Sequence, residues 1–281
     1  MKDWRQWFAG AEGRKLCIIA GPCVVETYDI AARVAEHLVS ICERLEFFYI
    51  FKSSYRKANR TRASSFQGIG DEKALKVLEQ VRRAFGIPVL TDVHETGEVP
   101  RAAEVVDVLQ IPAFLARQTA LLQAVGQTGK VVNIKKGQFM SAEAMRFAAE
   151  KVALTGNRKI FLTERGNFFG YEDLVVDFRN LYRMREGGYP VVMDATHAVQ
   201  RPNSGAGVTL GERRFVELYA KLGVVAGADG IFMEVHPNPE SSPSDASTML
   251  SLEEVKPLLD VLKWLYDVSQ AVEPASRGSS L

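Results

Sequence analysis

One pattern, repeated eight times, constrains this chain more than anything else in it. A short apolar, β-branched run is followed by a loop and then by a stretch with helical periodicity. The apolar runs fall at 15–22, 47–53, 88–93, 105–111, 131–136, 159–165, 190–196 and 228–235. Helical periodicity follows near 27–46, 71–86, 96–103, 116–127, 141–154, 173–186, 211–223 and 251–268. Strands that are apolar throughout, rather than at alternate positions, are buried on both faces, and helices between them cover a parallel sheet. Eight such units in about 250 residues predict a single closed (β/α)8 TIM barrel. A doubly wound open sheet is the competing arrangement, but no GxGxxG follows the first run. One barrel domain is expected over 1–268, with a flexible tail over 269–281. Two loops, 54–70 and 198–210, are longer than the rest, a third, 237–250, is rich in Pro and Ser, and long loops in a compact domain are usually functional.

Charge excludes some classes of function. Lys and Arg number 35 against 34 Asp and Glu, a formal net charge of +1. Nothing global therefore attracts nucleic acid or an anionic membrane, and any basic chemistry must be local. No apolar run approaches the ~18 residues of a membrane span. Residues 1–10 carry Trp4, Trp7 and Phe8 but no apolar core followed by a small-residue cleavage site, so they do not read as a signal peptide. Three cysteines are too few and too odd for a disulfide framework, which makes a reducing cytoplasm the expected compartment. Cys17, inside an apolar run, and Cys42, inside a helix pattern, read as small buried hydrophobes.

The polar residues cluster at one end of the runs. The first ends in Cys23 and Glu26, the second in Lys52, Ser53 and Ser54, and the third in Asp92, His94 and Glu95. Gln110 closes the fourth. The fifth carries Asn133 and ends in Lys135 and Lys136, and the sixth ends in Glu164 and Arg165. Asp194, Thr196 and His197 close the seventh, and Glu234 and His236 the eighth. Barrel active sites lie at the C-terminal ends of the strands, so closure would gather all of these into one pocket. Loop polarity by chance explains one or two such ends but not eight. Lys52, Lys57, Arg60, Lys135 and Arg165 form a cationic group suited to phosphate or carboxylate, although Lys57 and Arg60 taken singly read as solvated loop cations. Cys23, His197, Glu234 and Asp245 form a mixed sulfur, nitrogen and oxygen set that suits a divalent ion such as Zn, Fe, Mn or Co. Their spacing is not a local motif. Strands one, seven and eight become neighbours only on closure, with Asp245 in the loop after the eighth.

The stretches AGPCVVE (20–26), FKSSYRKANR (51–60), TDVHE (91–95), QIPAFLARQT (110–119), NIKKGQF (133–139), ERGNFFGY (164–171), DATHAVQ (194–200) and MEVHPNPESSPSDAS (233–247) resemble, in order and over nearly the whole chain, the 3-deoxy-D-manno-octulosonate 8-phosphate synthase family. That resemblance implies a homotetrameric (β/α)8 transferase. It would condense phosphoenolpyruvate with arabinose 5-phosphate, release phosphate and serve lipopolysaccharide core synthesis. It implies Lys52, Lys57, Gln110, Lys135 and Arg165 on phosphoenolpyruvate. Asn59 and Arg60 would meet the sugar phosphate, with Thr61 as a further donor, and Arg117 would reach a neighbouring subunit's site. Ser54 and Asp92 complete the expected substrate-binding set, and Lys57, Cys23, His197 and Asp245 the catalytic one. Some members of the family need no metal and carry Asn where this chain has Cys23, so the resemblance is to the metal-dependent branch. One departure is the pair Thr61-Arg62, where the family usually has two small hydroxyl residues.

Two alternatives stand beside this reading. A 3-deoxy-arabino-heptulosonate 7-phosphate synthase would use erythrose 4-phosphate on a similar barrel. Its loop after strand two usually reads KPRTS, against Lys57-Ala58-Asn59-Arg60 here. A catalytically silent barrel kept as a binding protein would be expected to have lost its cationic and metal clusters, and both are complete.

Overall fold

The structure, a computed structural model, describes residues 15–60, 62, 64–170, 173–202 and 209–272. Eight parallel strands form the barrel: β1 Cys17–Gly21, β2 Phe48–Lys52, β3 Val89–Asp92, β4 Val108–Ile111, β5 Val131–Lys135, β6 Ile160–Glu164, β7 Val191–Asp194 and β8 Gly230–His236. Each strand pairs with the next, and β8 pairs back onto β1 with Cys17 opposite Gly230 and Gly21 opposite Glu234. Among the described residues eight α-helices alternate with them: α1 Tyr28–Arg44, α2 Asp71–Phe85, α3 Val99–Val105, α4 Thr119–Gln127, α5 Ala142–Ala153, α6 Arg179–Arg185, α7 Val216–Val225 and α8 Leu252–Val272. The expected (β/α)8 barrel is what the chain forms.

Strand parity explains how an apolar barrel acquires a polar mouth. Successive strand residues face opposite sides. One set (Ile18, Tyr49, Val89, Leu109, Val132, Leu162, Met193, Ile231) packs against the helices in the large outer core. The other set fills the barrel with a smaller cluster of Cys17, Ile19, Phe48, Ile50, Leu90, Val108, Val131, Phe161, Val192 and Phe232. Two residues further along six of the strands, the same inward parity yields Lys52, Asp92, Gln110, Asn133, Asp194 and Glu234, and Lys135 lies one such step beyond Asn133. All of these are buried. Cys17 and Cys42 are both fully buried, as their apolar settings suggested.

Three differences from the expected elements have local causes. The helix expected over 173–186 forms only from Arg179. Asp173–Val175 instead pairs antiparallel with Asn167–Gly170, and Leu174 is buried within that ribbon. The loop after β7 contains a second short ribbon, Gln200–Arg201 against Leu210–Gly211. The last helix continues through 269–272, one turn beyond its expected end at 268. Trp4, Trp7, Phe8, Thr61 and the tail beyond residue 272 lie outside the described residues.

Candidate active site and metal centre

A cavity of 320 Å³ opens at the C-terminal ends of the strands. Its wall includes Lys52, Ser54, Lys57, Asn59, Arg60, Asp92, Gln110, Lys135, Arg165, His197 and Asp245, which covers every described substrate-binding candidate except Arg117. Arg117 is exposed on a separate groove with Phe139, Phe147 and Lys151, so it does not serve its own chain's cavity.

Carboxylates hold Lys52 and Lys135, and carbonyl or amide oxygens hold Arg165 and Arg60, while all of these cations and Lys57 line the cavity. Lys52 Nζ donates to Glu234 Oε1 and to the Cys23 carbonyl, both at 3.0 Å. Lys135 Nζ lies 2.5 Å from Asp194 Oδ2 and 3.6 Å from the centre of the Phe232 ring, the uppermost apolar layer of the barrel. Burial pulls its pKa down to about 8, with Lys52 and Arg165 adding to the fall and Asp194 opposing it. Burial acts the same way on Lys57, but Cys23, Glu234, Asp92 and Asp245 outweigh it and hold the ammonium above the ordinary lysine range. Arg165 donates from Nη2 to the His197 carbonyl and to Gln200 Oε1, at 3.0 and 2.9 Å, while its buried Nε has no partner. Arg60 donates to the Phe66 carbonyl and has a buried, unpartnered Nη2. The Ser54 hydroxyl and Asp92 Oδ1 are likewise buried without partners. Of these, Ser54 Oγ, Arg60 Nη2 and Arg165 Nε are donors able to meet an anion at the cavity wall, whereas Asp92 Oδ1 can only accept. Burial alone would raise the Asp92 carboxyl, but His94, 3.1 Å away, with Lys57 and Lys52 holds it well below the usual range.

The second cluster lies against this wall. The Cys23 sulfur is 2.9 Å from both Asp245 Oδ2 and Ser244 Oγ. Donor atoms of Cys23, Glu234 and Asp245 lie within 4.8 Å of one another. His197 lies beside this group of three rather than within it, its Nε2 3.5 Å from Glu234 Oε1 and its Nδ1 2.8 Å from Asp194 Oδ2. A carboxylate on the far ring nitrogen fixes the imidazole and frees the other nitrogen for a ligand, which is the usual outer support of a metal-binding histidine. Burial, then Asp245 and Glu234, push the Cys23 thiol well up. For Asp245 the effect of burial is outweighed by Lys57 and His197, which hold it below the carboxylate range. Glu234 Oε2 is buried with no partner. Asp245 takes a left-handed φ of 51°, which Asp tolerates better than most residues. A buried thiol, two carboxylates and an oriented imidazole, one oxygen of them orphaned, fit a divalent cation.

Gln200 was not among the expected site residues. Its Nε2 donates to Asp245 Oδ1 at 2.9 Å while its Oε1 accepts from Arg165, so it bridges the two clusters. The three residues from His197 to Val199 form a 3₁₀ turn that places Gln200 one turn past His197. That spacing within DATHAVQ was the available signal. Ser244, Phe66, Phe114 and Thr209 also line the cavity and carried no chemical signature of their own.

A closed parallel barrel with a cationic cavity beside a buried cluster of metal-ligand type defines a (β/α)8 protein built to take anionic ligands at its strand ends. The chain belongs to the DAHP synthetase I family, whose profile matches residues 5–271. Relatives named 2-dehydro-3-deoxyphosphooctonate aldolase are similar over most of their length. The one from Magnetococcus marinus is 50% identical over 266 residues, 95% of this chain and 93% of its own. That from Syntrophobacter fumaroxidans is 53% identical over 245 residues, 87% and 85% of the two chains. That from Trichlorobacter lovleyi is 51% identical over 253 residues, 90% and 93%.

Proposed function

We propose that the protein condenses phosphoenolpyruvate with arabinose 5-phosphate to give 3-deoxy-D-manno-octulosonate 8-phosphate and inorganic phosphate. The observation that carries this reading is the convergence of Lys52, Lys57, Lys135 and Arg165 with Gln110 on one cavity, beside the Cys23, Glu234 and Asp245 group and its neighbour His197. The relatives' name fits it. A phosphooctonate keto acid has eight carbons, which a three-carbon enol phosphate and a five-carbon sugar supply, whereas erythrose 4-phosphate would give seven. Among the described residues no helix is long and apolar enough to cross a membrane. Three free, buried cysteines support a reducing cytoplasm as the setting.

In this reaction the terminal enol carbon of phosphoenolpyruvate bonds to the sugar aldehyde carbon, water adds at the neighbouring carbon, and the phosphate leaves. The aldehyde oxygen ends as a hydroxyl and must gain a proton. Two phosphorylated substrates repel each other, so the first task of the site is to hold both anions at once. Lys52, Lys57, Lys135, Arg165 and Gln110 hold phosphoenolpyruvate. Asn59, Arg60 and Thr61 take the sugar phosphate, and the unpartnered Ser54 hydroxyl and Asp92 oxygen face the ligands as further polar contacts. Cys23, His197, Glu234 and Asp245 would hold one divalent ion; the donor set suits Zn, Fe, Mn or Co. Such an ion, when bound, supplies Lewis acidity next to the aldehyde or lowers the pKa of a water. His197 and Asp245 keep their orientation through Asp194 and Gln200. A homotetramer, with Arg117 reaching a neighbour's cavity, completes the proposal.

Phosphate release with phosphoenolpyruvate and each aldose phosphate in turn tests the reading. Arabinose 5-phosphate should turn over and erythrose 4-phosphate should be far slower. Faster release with erythrose 4-phosphate would make the seven-carbon reaction the right one, and no release with either would leave a binding protein.

A further inference from the structure

The sequence places two lysines together at the end of β5 and a glutamate before an arginine at the end of β6. Strand parity splits both pairs. Lys135 and Arg165 face the cavity, whereas Lys136 and Glu164 face away from it, and both of these are wholly buried. Lys136 Nζ lies 3.2 Å from Glu164 Oε1. It also donates to Asn167 Oδ1 at 2.7 Å and to the Gly166 carbonyl at 3.2 Å. The same Glu164 Oε1 accepts from the backbone N–H groups of Arg165 and Gly166, at 2.9 and 2.6 Å. Gly166 turns the chain with a left-handed φ of 87°. One carboxylate oxygen thus clamps the backbone where β6 hands over to the loop, at the residue whose guanidinium enters the cavity.

Stability does not account for this arrangement. Taking two charges out of water is costly, and apolar residues of similar volume commonly replace a buried ion pair at little or no loss. What an apolar pair cannot do is hold two backbone N–H groups in charge-assisted bonds, which are about twice as strong as neutral ones. A guanidinium at the end of a long side chain is displaced by any rotation of its own backbone.

We propose that Lys136 and Glu164 form a positioning pair that aims Arg165 at the phosphoenolpyruvate anion. Glu164 fixes the Arg165 backbone. Lys136 neutralises Glu164 and ties it to Asn167, so that the ribbon after β6 and the loop after β5 move as one body with the anion site. The inference rests on the reading above that Arg165 binds phosphoenolpyruvate, and the experiment separates the two.

The test is a double-mutant cycle. The neutral pair Lys136→Met/Glu164→Gln keeps the volume and leaves no unpaired buried charge. It should raise KM for phosphoenolpyruvate at least tenfold while changing kcat and KM for arabinose 5-phosphate less than twofold. In an Arg165→Ala background the same pair should change KM for phosphoenolpyruvate less than twofold, because there is no guanidinium left to aim. Glu164→Asp, which keeps the charge but withdraws it by one methylene from the Arg165 N–H, should behave like the neutral pair. An unchanged KM in a folded variant, or an equal penalty with and without Arg165, would overturn the proposal. So would a parallel rise in both KM values. If neither the neutral pair nor Glu164→Asp folds, the pair serves stability alone and the proposal fails. If Arg165→Ala itself leaves KM for phosphoenolpyruvate unchanged, the fault lies with the assignment of Arg165 and not with the clamp.

Discussion

At the scale of single residues, Cys23 poses the sharpest chemical problem. Its sulfur sits among Asp245, Ser244 and Glu234 in a fully buried position, where burial and two carboxylates favour the neutral thiol. An inert thiol could rest there, but it would not explain why Glu234 keeps an unpartnered oxygen beside it or why His197 presents a nitrogen to Glu234. A divalent cation resolves all three, since metal coordination deprotonates a thiol outright. Chelation should therefore abolish activity and a divalent metal should restore it. Cys23→Ala should lose bound metal, read by elemental analysis, together with turnover. Cys23→Asn, the residue that the family resemblance implies for metal-independent members, should keep more chelator-resistant turnover than Cys23→Ala. Full activity in enzyme shown to be metal-free would remove the metal from the reading and leave the phosphoenolpyruvate site standing.

At the scale of elements, the end of β1 shows how closely the strands and the site are joined. Gly21 lies against β2 so tightly that a Cβ placed on it would come within 2.1 Å of the Lys52 carbonyl oxygen. That atom is backbone, and it belongs to the residue whose side chain holds Glu234. Gly21→Ala should therefore separate β1 from β2 and displace both Lys52 and, two residues on, Cys23. The expected cost is about 1–3 kcal/mol in denaturant unfolding, the range for overpacking a close-packed interior, with reduced metal content in the folded fraction. Wild-type stability and metal content would show that the strand ends adjust freely. The same strand logic decided what could be read from the chain alone. Eight buried parallel strands leave eight apolar runs, so the barrel was legible, and polar residues at their ends stood out because inward parity reverses from apolar to polar within two residues. The ribbon over 167–175 was not legible as such. Asp173 to Val176 continues into a helical pattern, and nothing in its own composition announces the pairing of Leu174 with Phe168. Gln200 escaped because its role is relational: it matters through two partners, Arg165 and Asp245, that are far from it in sequence.

At the scale of the whole molecule, Arg117 is the residue that does not fit a self-sufficient subunit. It lies outside the cavity, exposed on a groove whose rim carries Phe139 and Phe147, 55% and 66% exposed. Large aromatic side chains at that exposure beside an arginine are the composition of a protein–protein contact rather than of ordinary surface. The proposed tetramer gives both features one explanation, with the aromatic rim covered by a second copy and the guanidinium delivered to that copy's sugar phosphate. Light scattering should report four subunits. Arg117→Ala should raise KM for arabinose 5-phosphate by roughly 10- to 150-fold, the equivalent of about 1.5–3 kcal/mol for a charge-assisted contact, without changing the metal content. Subunit mixing decides whether the residue acts across the interface. If it does, Arg117→Ala chains co-assembled with Arg165→Ala chains bring intact Arg117 to cavities that retain Arg165, and the mixture should exceed the activity of either parent. A fully active monomer, or mixtures no better than the sum of their parts, would confine each site to its own chain.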